Sequence, residues 1–133
     1  MIKNPRHGWC DFELGDFTGL ASYLTDVPAD LLDAFITYYT KGYGVVQFDE
    51  EGSLFTLVLA RYDPSIYIIE DRKNIILHDF SHMNPDDLAK ELINDIESNL
   101  IGWLVRFTME EENEQYKNEI LQKIEELKQF VYG

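Results

Sequence analysis

His78-Asp-Phe-Ser-His82 sets two imidazoles and a carboxylate within five residues, and Asp11, Glu13 and Asp16 set three carboxylates within six. On a helix, the histidine spacing would let both rings share a metal ion. Here the segment falls between a β-type run and a helix start at Asn84, where no regular face aligns His78 with His82. No third ligand stands at metal-site spacing. We read these as turn residues, with Asp79 or Ser81 bonding to local backbone. Asp11, Glu13 and Asp16 would serve acid–base chemistry only if burial separated their pKa values. As ligands for a hard cation they lack the EF-hand pattern, because apolar Phe12 and Leu14 stand between them. Cys10 lies among Asp11 and Glu13, whose charge raises a thiol's pKa, so it suits a small buried hydrophobe better than a nucleophile. No serine sits in a G-x-S-x-G elbow, and Gly42-Tyr-Gly44 lacks the Lys-Ser/Thr of a phosphate loop. The expectation is a protein without catalytic residues, cofactor or metal.

Charge is the stronger signal. Twenty-five Asp and Glu face eleven Lys and Arg in 133 residues, a formal charge of −14. Six of the acids (Asp11, Glu13, Asp16, Asp26, Asp30 and Asp33) fall between Gly8 and Tyr39, where there is no Lys or Arg. Such a field repels nucleic acid and anionic membrane and speeds encounter with a cationic protein. The aromatics near the first helix have no basic neighbours with which to form a nucleic-acid platform. An exposed Tyr among acids, such as Tyr23, would anchor a basic partner through buried area and contact with Arg.

These residues need a scaffold, and the chain is built to supply one. Hydrophobic residues make up 45% and aromatics 14%, unlike an acidic disordered tail. A chain of this length buries roughly 68% of its unfolded surface as one domain, and no linker or repeat divides residues 1–133. A single cysteine forbids an internal disulfide and favours a reducing compartment. The polar start without an apolar h-region, and apolar runs far shorter than a membrane span, predict a cytoplasmic protein.

The first segment, Trp9-Cys-Asp-Phe-Glu-Leu14, reads either as a short edge strand or as ordered coil ending at Gly15. Asp26-Val-Pro28 marks a helix start that Asp26 or Thr25 can cap, with Leu31, Leu32, Phe35, Ile36 and Tyr39 on one face and Gly42 and Gly44 stopping it. Four β-type runs at 45–48, 54–60, 66–69 and 75–77 follow, joined by turns short enough to force an antiparallel meander. Residues 57–60 and 66–69 are apolar on both faces, which predicts central strands covered on each side. Asn84-Pro85 opens a second helix, whose apolar residues Leu88, Leu92, Ile96, Leu100, Trp103 and Phe107 carry it to about Arg106. Acidic residues 110–114 break or restart it. A last helix sets Tyr116, Ile120, Leu121, Ile124, Leu127 and Val131 on one stripe. The predicted fold is α+β: one N-terminal helix, a four-stranded antiparallel meander, and two long C-terminal helices packed on the sheet.

Trp9-Cys-Asp-Phe-Glu-Leu-Gly-Asp-Phe17 and Ser22-Tyr-Leu-Thr-Asp-Val-Pro28, followed by Leu31-Leu-Asp-Ala-Phe35, resemble the N-terminal stretch of small bacterial immunity proteins. These belong to polymorphic toxin and contact-dependent growth inhibition systems, and the resemblance covers roughly the first third of the chain. It implies a protein that binds and occludes a cognate toxin domain in the producing cell. The surface assigned to that partner is Asp11, Glu13, Asp16, Tyr23, Asp26, Asp30 and Asp33, with Asp49, Glu50 and Glu51 as a second acidic loop. Two other readings remain open at this point. One is a small-ligand or enzymatic domain with a pocket between sheet and helices, lined by His78, Asp79 or His82. The other is an adaptor whose last helix docks onto a partner or pairs with itself.

Overall fold

Residues 1–108 and 114–133 are described in the computed structural model of the chain. Among these residues seven strands form two antiparallel sheets, and four helices accompany them, so the expected single sheet with one N-terminal helix and two long C-terminal helices is corrected. The first sheet, absent from the sequence-based expectation, comprises β1 (Ile2–Arg6), β2 (Trp9–Leu14) and β3 (Phe17–Ser22) in that order. In β2 the alternation is strict: Cys10, Phe12 and Leu14 are buried, while Trp9, Asp11 and Glu13 turn outward. Leu14 pairs with Phe17 across a two-residue turn. Gly15 takes φ +56° there, which only glycine adopts freely, so Gly15-Asp16 makes a tight hairpin.

Helix α1 (Val27–Lys41) follows. The Asp26 carboxylate caps it by accepting from the Ala29 N–H at 3.3 Å, and Gly42 ends it with its N–H on the Tyr38 carbonyl. The second sheet then runs β4 (Tyr43–Asp49), β5 (Leu54–Ala60), β6 (Ile66–Asp71) and β7 (Ile75–Asp79), each strand paired with the next. This is the expected meander, with β5 and β6 central.

The anticipated long second helix is two. Helix α2 (Pro85–Glu97) starts at Asn84, whose side chain accepts from the Asp86 and Asp87 N–H groups, and stops at Ser98. Helix α3 (Leu100–Thr108) starts anew as the Asn99 side chain accepts from the Gly102 N–H. Recapping turns the chain so that Trp103 is buried, its indole donating to the Asp95 carbonyl at 3.0 Å. Of the acidic residues 110–114, only Glu114 is described, at the start of α4 (Glu114–Val131).

The core lies on one side of the large sheet. Phe48 and Phe55 meet Phe12 of the small sheet at ring-centroid distances of 4.8 and 5.3 Å, and Phe17 adds a contact with Phe55 at 5.1 Å. Leu31, Leu32 and Phe35 of α1 are fully buried there too. Helix α4 packs on α1 and α2, not on the sheet, burying Tyr116, Ile120, Ile124 and Leu127. Most of the stripe that the self-association alternative would use, Tyr116, Ile120, Ile124 and Leu127, is therefore spent inside the fold. Tyr39 ties the helices together, donating its hydroxyl to Asp86 and stacking on Phe130 at 5.2 Å. Burial first, and then the carboxylate bond, push its phenol pKa upward.

Candidate functional site

Strand alternation builds a second face on the large sheet, and no described element packs on it. Phe48, Val46, Phe55, Leu57, Leu59, Ile66 and Ile68 point into the core. Their neighbours point the other way, in cross-strand rows set by the register. Val45, Val58, Tyr67 and Asp79 form one row; Gln47, Thr56, Ile69 and Leu77 the next; Asp49, Leu54, Asp71 and Ile75 the third. Tyr43, Val45, Leu77 and Ile75 on this face are 55%, 56%, 55% and 76% exposed. The expectation of cover on both faces of 57–60 and 66–69 thus holds for one face only. The result is an apolar surface with carboxylates at its margins, more than single scattered exposures would leave.

The β4 margin continues into a groove of about 450 Å³ between that strand and α1. Asp30, Asp33 and Thr37 line one wall, and Tyr43, Val45 and Gln47 the other. The helix comes this close because Gly44 has no side chain: a Cβ there would meet the Ala34 carbonyl oxygen at 2.1 Å. Thr25 also lines the groove, and its hydroxyl is buried with no hydrogen-bond partner among the described residues. Asp33 holds Lys123 of α4 at 2.6 Å in an exposed pair. Asp30 is half-buried; burial first, then the charges of Asp26 and Asp33, push its pKa up to about 6.

The Asp30 shift has a stability consequence. Between about pH 4 and pH 6 the folded chain holds a proton on Asp30 that the unfolded chain has lost, so stability falls as pH rises through that window. Asp30→Asn is expected to be more stable than the parent at pH 7 by about 1 kcal/mol, after discounting for the water that still reaches the carboxyl. The advantage should vanish near pH 4. Urea unfolding at both pH values checks this, and an equal difference at each would show that Asp30 is not destabilised in the folded state.

The other acids singled out in the sequence do not line this groove. Asp11 pairs with Arg6 at 2.9 Å and accepts from Asn4 at 2.8 Å; the Asn4 bond first, then Arg6, hold its carboxyl below the usual range. Glu13 pairs with Lys3 at 2.8 Å. Asp16 sits exposed in the β2–β3 turn, and Tyr23 is 45% exposed beside Gly8. Asp26 accepts the Tyr116 hydroxyl at 2.7 Å besides capping α1, a structural role. Asp49 accepts the Glu51 N–H at 2.6 Å, and Glu51 has φ +57° in the β4–β5 turn.

Glu50 is held within the fold. Arg72 grips it with two bonds of 2.9 Å, donates to the Thr18 carbonyl at 3.1 Å, and lies over the Phe17 ring at 5.1 Å, clamping the two sheets. Burial opposes the Glu50 charge, but Arg72 and the Ser53 hydroxyl outweigh it and hold the pKa below the usual range. Asp11, Glu13 and Glu50 line a second cleft, of about 370 Å³, with Arg72.

His78 bonds to Glu70 at 3.2 Å and packs on Phe17 at 5.1 Å, while the Asp79 carboxylate accepts from the Ser81 N–H and hydroxyl. Among the described residues no three His, Cys, Asp or Glu gather where they could hold a metal ion. Cys10 is buried. No described helix is long and apolar enough to cross a membrane. The residues that sequence reasoning missed are those of the outer face: Val45, Val58, Tyr67, Ile69, Ile75 and Leu77. Their signal was the two-sided apolarity of the central strands, read as internal cover.

Comparison with protein-family models, with curated proteins and with solved structures returned no match.

Proposed function

We propose that the chain is a stoichiometric binding protein of the immunity type, which occludes a basic toxin domain and does no chemistry itself. The observation that carries this reading is the apolar outer face of the large sheet, continuous at β4 with the Asp30–Asp33 groove. An apolar centre with an anionic margin suits a partner that is apolar at its contact and cationic around it. Tyr67 and Val45 would supply the buried anchors, and Asp30 and Asp33 the charges that meet Lys and Arg. Lys123 can yield Asp33, because an exposed ion pair is worth only about 0–1 kcal/mol. Asp11, Glu13 and Asp16 lie on the small sheet and add to the long-range field. The N-terminal likeness to immunity proteins supports the same reading, and a cytoplasmic site of action goes with it.

The test is a pull-down with the tagged chain from its native host, washed at low and then high salt. The expected result is stoichiometric recovery of a basic domain that leaves at high salt. Recovery of nothing above background would overturn the reading.

A further inference from the structure

We propose that the basic partner adds an extended segment to the open edge of β4, a segment in which apolar residues alternate with Lys or Arg. The proposal rests on the reading of the chain as a binder of a basic domain and names how that domain is held.

Register fixes which way the β4 backbone faces. The Glu50 N–H donates to the Ser53 carbonyl at 3.0 Å, so these residues form a hydrogen-bonded pair at the head of the β4–β5 hairpin. Such pairs recur at every second position of an antiparallel ladder, and this register is unbroken. Phe48, Val46 and Gly44 therefore turn their backbone groups to Phe55, Leu57 and Leu59. Tyr43, Val45 and Gln47 turn theirs outward, along the groove they line. The N–H groups of Val45 and Gln47 bond to no described residue. An edge of this kind is a template for another strand unless it is blunted by Lys, Pro or a bulge. The chain does blunt β1, an edge of the small sheet: Lys3, Pro5 and Arg6 stand in it, and its register shifts between Lys3 and Arg6. Strand β4 has no such device. What sets it apart from β7, the opposite edge, is the acid beside it.

Alternation and charge select the occupant. In strand addition, main-chain bonds supply affinity and alternate side chains supply specificity. Side chains of an added strand that stand opposite Gly44 and Val46 turn to the side on which α1 lies, where Asp30 and Asp33 line the groove. Those opposite Val45 and Gln47 turn to the outer face and widen its apolar surface. The two acids are three residues apart on α1, ~4.5 Å along its axis, and alternate side chains on a strand are ~6.8 Å apart. The long stems of Lys and Arg absorb that difference. Asp30 makes no ion pair or side-chain hydrogen bond among the described residues, and the buried Thr25 hydroxyl, also without a partner there, adds an acceptor to the same groove. A second copy of this chain does not fit. Among the described strands only β1 carries Lys or Arg, and Pro5 interrupts it.

Titration of the full chain with a capped octapeptide of alternating lysine and valine, followed by NMR-detected hydrogen exchange, tests the pairing. The expected result is salt-sensitive binding that slows exchange of the Val45 and Gln47 amides about tenfold or more. A peptide of the same composition, with its lysines and valines in separate blocks, should leave those amides exchanging as in the free chain. Asp30→Asn with Asp33→Asn, shown to be folded by circular dichroism, should bind the alternating peptide about fivefold or more weakly. No binding at millimolar peptide would overturn the proposal. So would binding that leaves Val45 and Gln47 unprotected, protection that falls instead on Ile75 and Leu77 of β7, or a block peptide that protects β4 equally. The outcome is separable from that of the pull-down. An empty pull-down with the alternating peptide bound leaves the edge site standing, whereas a recovered partner whose complex leaves the Val45 and Gln47 amides unprotected overturns the pairing alone.

Discussion

Gly44→Val is expected to leave no cooperatively folded protein, and Gly44→Ala to lose about 3 kcal/mol or more in urea unfolding. A strand glycine exchanged for alanine would ordinarily be neutral or gain up to ~1 kcal/mol through lower backbone entropy. Here the added Cβ meets the Ala34 carbonyl oxygen at 2.1 Å and its carbonyl carbon at 2.8 Å. Those are helix backbone atoms, and no rotamer change moves them aside. Relief would require α1 to shift as a body, yet α1 is pinned by Leu31, Leu32 and Phe35 in the core, by Asp26 bound to Tyr116, and by Tyr39 bound to Asp86. A loss of that size is a large share of the 5–15 kcal/mol that holds a domain folded. Gly19→Ala is the comparison: its Cβ would lie 2.5 Å from the Phe55 ring, a buried side chain rather than helix backbone, so it should lose less. Gly44→Ala unfolding within about 0.5 kcal/mol of the parent would mean that α1 does not approach β4 this closely, and the groove would go with it.

The same backbone explains which parts of the fold could be read in advance. The α1 and α2 starts were legible because Asp26-Val-Pro28 and Asn84-Pro85 carry cap and first-turn residue together, and both cap as expected. The meander was legible because its apolar runs are separated by turns too short for anything but antiparallel return. The small sheet was missed although Gly15-Asp16 is a two-residue hairpin signal: β1 is polar and contains Pro5, and only pairing to β2 makes it a strand. The break at Ser98-Asn99 was missed because the apolar spacing runs straight across it, while the Asn99 cap decides the geometry. The acids were legible as a population but not as a site. Arg6 neutralises Asp11 from nearby, but Arg72 reaches Glu50 from 22 residues away and Lys123 reaches Asp33 from 90. Absence of positive charge along a segment therefore says little about its absence in space. The outer face lay open to the eye as two-sided apolarity, and only the packing reveals which side the described residues leave uncovered.

Against the partner recovered by pull-down, substitutions at the two parts of the proposed surface are expected to fail in different ways. Val45→Ala with Tyr67→Ala removes apolar area from the middle of the outer face and should accelerate dissociation about 100-fold, with little change in the association rate. That corresponds to about 2.7 kcal/mol, within what two buried anchors supply. Asp30→Lys with Asp33→Lys leaves that area intact but reverses charge in the groove. It should slow association by about tenfold or more at low salt and flatten the dependence of the rate on salt. Asp30 adds a pH signature. Its raised pKa, about 6, means that a basic partner must draw the proton off, so affinity should fall between pH 7 and pH 5. Asp30→Asn should bind more weakly at pH 7 and lose that pH dependence. Surface plasmon resonance across salt and pH, with circular dichroism confirming that each variant is folded, separates these effects. If both double variants bind as the parent does, the partner docks elsewhere, and the apolar face and acidic groove have no part in its recognition. If only the charge variant fails, the contact is electrostatic and the apolar outer face has no part in it.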